Sequence, residues 1–132
     1  MKGIIYNSLG KIIRAVDAPE SMLLDQIHGL DEFLFYGDGN TKLDYINKNT
    51  LVPRPLQLTI LNKTTLNANG VDIVTISNAP QGTFTAFNLT TNDTITGEIN
   101  GTDTFSTTIS GTYIIRIESF PYLDFETTIT AV

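Results

Sequence analysis

The chain has no cysteine and no tryptophan among its 132 residues. Without cysteine it can form neither a disulfide framework nor a thiolate metal centre. Histidine is nearly missing too: His28 is the only one. Basic residues are scarce, eight against fourteen acidic ones, for a net charge of -6. The shortage is concentrated late in the chain. Residues 56–132 hold only Lys63 and Arg116 against seven acids, a net of -5, whereas residues 1–55 hold six basic and seven acidic residues, a net of -1. So acidic a surface repels phosphate backbones and anionic lipid, and the expected partners include neither nucleic acid nor a membrane. Long apolar runs are absent: no stretch approaches the roughly 18 residues of a membrane helix. Ile4-Ile5-Tyr6 is followed at once by Asn7-Ser8, which does not make a signal-peptide core. The expectation is a soluble protein made in a cytosol.

What is present is a globular composition, 41% hydrophobic, in a length that suits one ordinary domain or two very small ones. Residues 1–55 read as a small β-rich region of hairpins. Ile4 to Tyr6 and Lys11 to Val16 flank the turn Asn7-Ser8-Leu9-Gly10. Met22 to Ile27 has no clear period and fits either a strand or one or two helical turns. Glu32 to Tyr36 is a strand stopped by Gly37-Asp38-Gly39-Asn40. Tyr45-Ile46 and Leu51-Val52 bracket a turn at residues 47–50. Val52-Pro53-Arg54-Pro55 is the expected boundary, because two prolines hold the backbone extended and remove two donors.

Residues 56–132 are rich in threonine, which packs well on a pleated surface. Seven strands are expected: Leu56–Leu61, Val71–Ile76, Thr83–Leu89, Ile95–Ile99, Thr104–Ile109, Tyr113–Glu118 and Phe125–Val132. The turns between them are expected at Asn69-Gly70, at Asn78-Ala79-Pro80-Gln81-Gly82, at Asn92-Asp93 and at Asn100-Gly101. Tyr113 stands just after the turn Ser110-Gly111-Thr112, at the start of a late strand. That placement fits the tyrosine corner of immunoglobulin-like sandwiches, in which the hydroxyl bonds backbone a few residues upstream. The fold class is therefore all-β, a small hairpin or meander region over 1–55 followed by an immunoglobulin-like, fibronectin III-like β-sandwich over 56–132.

Candidate chemistry is sparse. A base or metal site needs converging ligands, and His28 has no second His or any Cys to join it, so it reads as a turn residue. Gly37-Asp38-Gly39-Asn40-Thr41-Lys42 starts like a calcium loop, but Lys42 stands where an oxygen ligand belongs and no Glu closes it. It reads as a turn. Asp93, Glu98 and Asp103 could pair as glycosidase acids do, though scattered surface acids are far commoner. Asn62, Asn88, Asn92 and Asn100 begin glycosylation sequons of a kind that an Asn- and Thr-rich chain produces by chance. No catalytic, cofactor-binding or metal-binding residue is assigned. Phe84, Phe87, Phe120, Tyr122 and Phe125 could form a sugar-binding platform, but alternation sends most of them to the core or to a strand end. Phe120-Pro121-Tyr122, two aromatics around a proline at a turn, is the exception and the expected partner contact.

The order of several pieces resembles small tail-associated structural proteins of tailed bacteriophages, of the collar and fibre-attachment type in T5-like siphophages. Those pieces are Asp44-Tyr45-Ile46-Asn47, Leu51-Val52-Pro53-Arg54-Pro55, Pro80-Gln81-Gly82-Thr83, Gly111-Thr112-Tyr113 and Phe120-Pro121-Tyr122. The resemblance runs along most of the chain and is least over residues 1–30. It implies a non-enzymatic virion component made in the host bacterial cytoplasm, without a cofactor. Its implied partners are other phage tail proteins and copies of itself in a homo-oligomeric ring. A carbohydrate-binding or host-surface adhesion module on the same sandwich is the competing expectation.

Overall fold

Asn7 lets the chain reverse after its first strand: its side-chain oxygen accepts the backbone N–H groups of Leu9 and Lys11, both at 3.0 Å. The turn joins β1 (Lys2–Tyr6) to β2 (Ile12–Asp17) in antiparallel register, Lys2 opposite Asp17. The structure, a computed structural model, describes residues 1–132. Met22 to Ile27 settles as single 3-10 turns at Glu20–Met22 and Leu24–Gln26, with Leu23 between them fully buried. β3 (Phe33–Tyr36) then pairs with the free edge of β1, for a sheet order of β2-β1-β3. β4 (Asp44–Asn47) and β5 (Thr50–Pro53) form a separate hairpin. Its two turn residues, Lys48 and Asn49, have φ of 50° and 63°, the left-handed pair of a tight hairpin turn.

Gly10 links these pieces. Its carbonyl accepts the Ile46 N–H at 2.9 Å. Its φ is +87°, and a Cβ there would stand 2.0 Å from the Ile46 carbonyl oxygen, so only glycine fits. Arg14 makes a second tie. Its Nη2 donates to the Gln26 carbonyl and, at 2.5 Å, to Glu32 Oε1. That guanidinium, with the His28 backbone N–H, holds the Glu32 carboxyl below the usual glutamate range.

The chain divides by contacts into two compact units, Met1–Pro55 and Leu56–Val132. The second has six strands: β6 (Ile60–Leu61), β7 (Thr65–Leu66), β8 (Val74–Asn88), β9 (Thr94–Phe105), β10 (Gly111–Glu118) and β11 (Phe125–Ala131). They join as β6-β8-β10-β11-β7, with β9 on β8. Every contact is antiparallel except β11 with β7. Strands make up 52% of the chain and helical turns 5%, so the protein is all-β.

The expected turns at Asn78–Gly82 and Asn100-Gly101 are not chain reversals. Val74–Ile76 and Thr83–Asn88 belong to the single strand β8, and Ile95–Ile99 continues through Thr104 and Phe105 as β9; Ser106–Ile109, the rest of the expected Thr104–Ile109 strand, is loop. The register of β8 on β9 shifts twice, between Ile76 and Ala79 and between Ala79 and Gly82. Each shift inserts one extra residue on β8, as a β-bulge does. Asn78 at φ 59° and Gly101 at φ 83° accommodate it. Gly82 is needed for close approach, since a Cβ there would lie 2.2 Å from the Glu118 carbonyl oxygen. Elsewhere, β6 covers only the last two residues of the expected Leu56–Leu61 strand, and β7 was not expected at all.

The bulges matter for the core. One apolar cluster takes Val74 and Phe105 from the far ends of β8 and β9. It takes Ala86, Tyr113, Ile115, Ile129, Ala131 and Leu66 from the other half of the sheet. A neighbouring cluster holds Ile76, Ala79, Ile99 and Ile117. Both halves of the bent β8–β9 hairpin thus bury side chains in common. Inside, the Tyr113 ring meets Phe105 edge-on at 5.3 Å. The Tyr113 hydroxyl donates to the Ile109 carbonyl at 2.8 Å and meets Thr107 Oγ1 at 2.8 Å, so its bond to the preceding turn is in place.

Candidate functional site

Residues 56–60 form an extended segment in which the usual alternation is inverted. Gln57 and Thr59 point inward, while Leu56, Leu58 and Ile60 point out, Leu58 with 78% of its surface exposed. The inward residues explain why. Gln57 Nε2 donates to the Ile117 carbonyl at 2.8 Å and to the Leu123 carbonyl at 3.0 Å. Gln57 Oε1 in turn accepts the Thr59 hydroxyl at 2.8 Å. Satisfying two main-chain carbonyls with one side chain fixes the face of the segment, and the alternating apolar residues are left outside.

Those leucines border a groove of about 510 Å³ lined by Leu56, Leu58, Asn78, Ala79, Pro80 and Tyr122. The bulge on β8 supplies Asn78, Ala79 and Pro80. The turn after β10 supplies Tyr122, whose N–H donates to the Ser119 carbonyl at 2.8 Å. Ser119 Oγ donates to the Gln81 carbonyl at 2.6 Å and holds that turn against the bulge. The peptide bond between Phe120 and Pro121 is cis. Phe120, Pro121 and Tyr122 are half-buried rather than protruding, and of the three only Tyr122 lines the groove.

The remaining sequence candidates are dispersed. His28 is exposed in a loop, where its backbone N–H donates to Glu32 Oε1 at 2.9 Å. In the calcium-like loop, Asn40 Oδ1 accepts the N–H groups of Lys42 and Leu43, and Asp38 meets Lys2 at 3.1 Å. The Asn40 oxygen thus serves the turn and the Asp38 carboxylate an ion pair to β1. No three His, Asp or Glu side chains come together as a metal site requires. Glu98 and Asp103 line one cavity with Ile76, Phe84, Ile99 and Thr104, but its volume is about 40 Å³, room for a water and not for a sugar ring. Asp93 lies in the turn before β9, apart from that cavity. Among the aromatics, Phe84 and Phe125 pack on the core. Phe87 differs from the expected core position: it lies opposite Ile114, where both line an open depression with Thr85, Arg116 and Glu118. Phe84 and Phe125 flank Ile117 on the core face, and Phe87 lies on the opposite face of β8. Among the sequon asparagines, Asn88 is fully buried and its side chain holds the turn to β9, accepting the Thr90 N–H at 2.8 Å.

No family model, curated protein or solved structure matches this chain. The candidate site therefore rests on geometry alone. The sequence pointed to Tyr122 but missed Leu56 and Leu58. The available signal was a polar-apolar alternation directly after Pro55, but nothing local says which face of such a segment turns inward.

Proposed function

We propose that the chain is a non-enzymatic structural component of a bacteriophage tail, a collar, tail-tip or fibre-attachment protein working through protein–protein contacts in a homo-oligomeric ring. The observation that carries the contact part of this reading is the outward apolar row Leu56-Leu58-Ile60 beside Tyr122. Contiguous exposed apolar surface of this kind marks docking sites in soluble proteins. The tail setting rests on the sequence resemblance. The immunoglobulin-like reading of the second unit belongs to the same proposal. It is supported by the Tyr113 hydroxyl bond and by the core shared across the bent β8–β9 hairpin.

The charge split indicates how copies meet. Two units of -5 facing each other repel, whereas the near-neutral Met1–Pro55 unit of one copy can approach the groove of the next. That unit also exposes Leu9, Leu24 and Leu30. A head-to-tail contact of this type closes into a ring when the rotation allows. Light scattering on the full chain tests it. The expected result is a ring-sized oligomer that Leu58→Asp converts to monomer while the strand signal in circular dichroism persists. A strict monomer at high concentration, or an oligomer indifferent to Leu58→Asp, rejects the contact. Binding of a glycan array by the 56–132 fragment would favour the adhesion reading instead.

A further inference from the structure

β9 is an edge strand. It pairs with β8 on one side and with no strand on the other, so alternate N–H and C=O groups along its length lack a strand partner. Proteins guard such edges with lysine, proline or shortness. β9 is 12 residues long and contains neither lysine nor proline. Both bulges lie beyond Gly82 on β8, which leaves Thr94–Ile99 in unbroken register with Gly82–Phe87.

Gly97 sits inside that regular stretch, opposite Phe84. Its φ is outside the left-handed region, and a Cβ on it would meet no atom within 4 Å. Neither conformation nor packing within the chain requires glycine here, and glycine weakens a strand. Glycine in a strand interior also marks close approach by another backbone or ligand. The neighbours fit that use. Ile95, Gly97 and Ile99 alternate on the core face. Ile99 is buried, Ile95 is 49% exposed and Phe84 is only partly covered. The missing side chain leaves a notch at the open rim of the apolar core. The other face presents Thr94, Thr96 and Glu98, all exposed. Lys63 and Arg116, the only cations of this unit, are held by Asp72 and Glu126 at 2.5 and 2.8 Å. β9 itself carries Glu98 and Asp103 without a basic residue.

We infer that the Thr94–Ile99 edge accepts an extended segment of another protein as an added strand, one that alternates apolar and basic side chains. An apolar side chain fills the notch over Gly97 against Ile95 and Phe84, and a lysine or arginine lies beside Glu98. Main-chain bonds supply affinity and the two side-chain rows supply selectivity. The donor is not a second copy, because no strand of this chain carries two basic residues and self-pairing would set acid against acid. The inference goes beyond the assembly proposal and uses different residues, so either can fail alone.

The test is amide hydrogen exchange on the full chain with a short peptide alternating lysine and valine, against one alternating glutamate and valine. Exchange should slow at β9 amides with the lysine peptide only. Gly97→Val and Glu98→Lys should each weaken the effect about tenfold. Unchanged protection at β10 and β11 reports that a variant is folded, and if Gly97→Val is not, Glu98→Lys decides alone. Absent protection, protection spread over the whole unit, or equal protection by the glutamate peptide overturns the inference. So does β9 protection that rises with protein concentration without peptide, which makes a second copy the occupant.

Discussion

Met1–Pro55 buries five apolar side chains, Ile4, Ile5, Ile12, Leu23 and Ile46, whereas Leu56–Val132 buries twelve. Its larger share of core lets the second unit run on one continuous ladder that bends across bulges and closes over Tyr113, Ile115 and Ile129. The first has a three-stranded sheet and a separate hairpin joined by backbone at Gly10, with the segment before β3 held to β2 by the Arg14 guanidinium. Where apolar area is short, specific polar and steric fits carry more of the fold. The two units should therefore fail in different ways when altered.

The largest expected effect is truncation at the centre of the second core. Ile115 is fully buried, and Ile115→Ala should cost about 3–5 kcal/mol, read by denaturant unfolding as lost protection of β10 amides. A loss below about 1 kcal/mol would mean that the cluster is not the support assigned to it.

In the first unit the corresponding weak point is a backbone fit. Gly10→Ala should cost about 2–4 kcal/mol, since it combines a left-handed φ with a collision at the Ile46 carbonyl. Near-native stability in that variant would erase the contrast between a core-built unit and a fit-built one.

Tyr113→Phe keeps the ring and removes only the hydroxyl. The Ile109 carbonyl loses its 2.8 Å donor and keeps only the longer one from Thr107 Oγ1 at 3.3 Å, and the second unit should lose about 1–2 kcal/mol in thermal or denaturant unfolding. No change would count against the corner.

The smallest effect is acid sensitivity. The Arg14 hydrogen bond lowers the folded pKa of Glu32, so its contribution is complete above the ordinary glutamate value of 4.5 and is lost as pH falls through the lowered folded value. Asp72 in the second unit behaves alike through Lys63. Glu32→Gln should flatten the acid limb of stability for the first unit and leave that of the second. If both limbs stay unchanged, the Arg14–Glu32 tie contributes nothing measurable.

Much of this was legible locally. Asn7 to Gly10 and residues 47–50 turn where side-chain and glycine chemistry says they should. The ambiguous Met22–Ile27 became short helical turns because Leu23 alone found a buried place. The groove was legible only in Tyr122. Leu56 and Leu58 belong to a strand-like run whose facing depends on where Gln57 finds two carbonyls, 60 and 66 residues away.

By itself the sequence determined the all-β class, the turns at Asn7–Gly10 and at residues 47–50, and the Tyr113 bond. These follow from φ preferences, side-chain alternation and a contact four residues long. The tertiary structure decided the rest. Asn78 to Gly82 carries the signals of a turn, yet whether the chain reverses or merely bulges depends on whether a ladder resumes beyond it. Here β9 and β10 wait on both sides of Thr83–Phe87 to continue the pairing. The same long-range pairing made β7 a parallel partner of β11 and left β9 as the open edge. Local chemistry encodes a kink in the backbone, but only the strands that arrive from elsewhere decide what the kink is for.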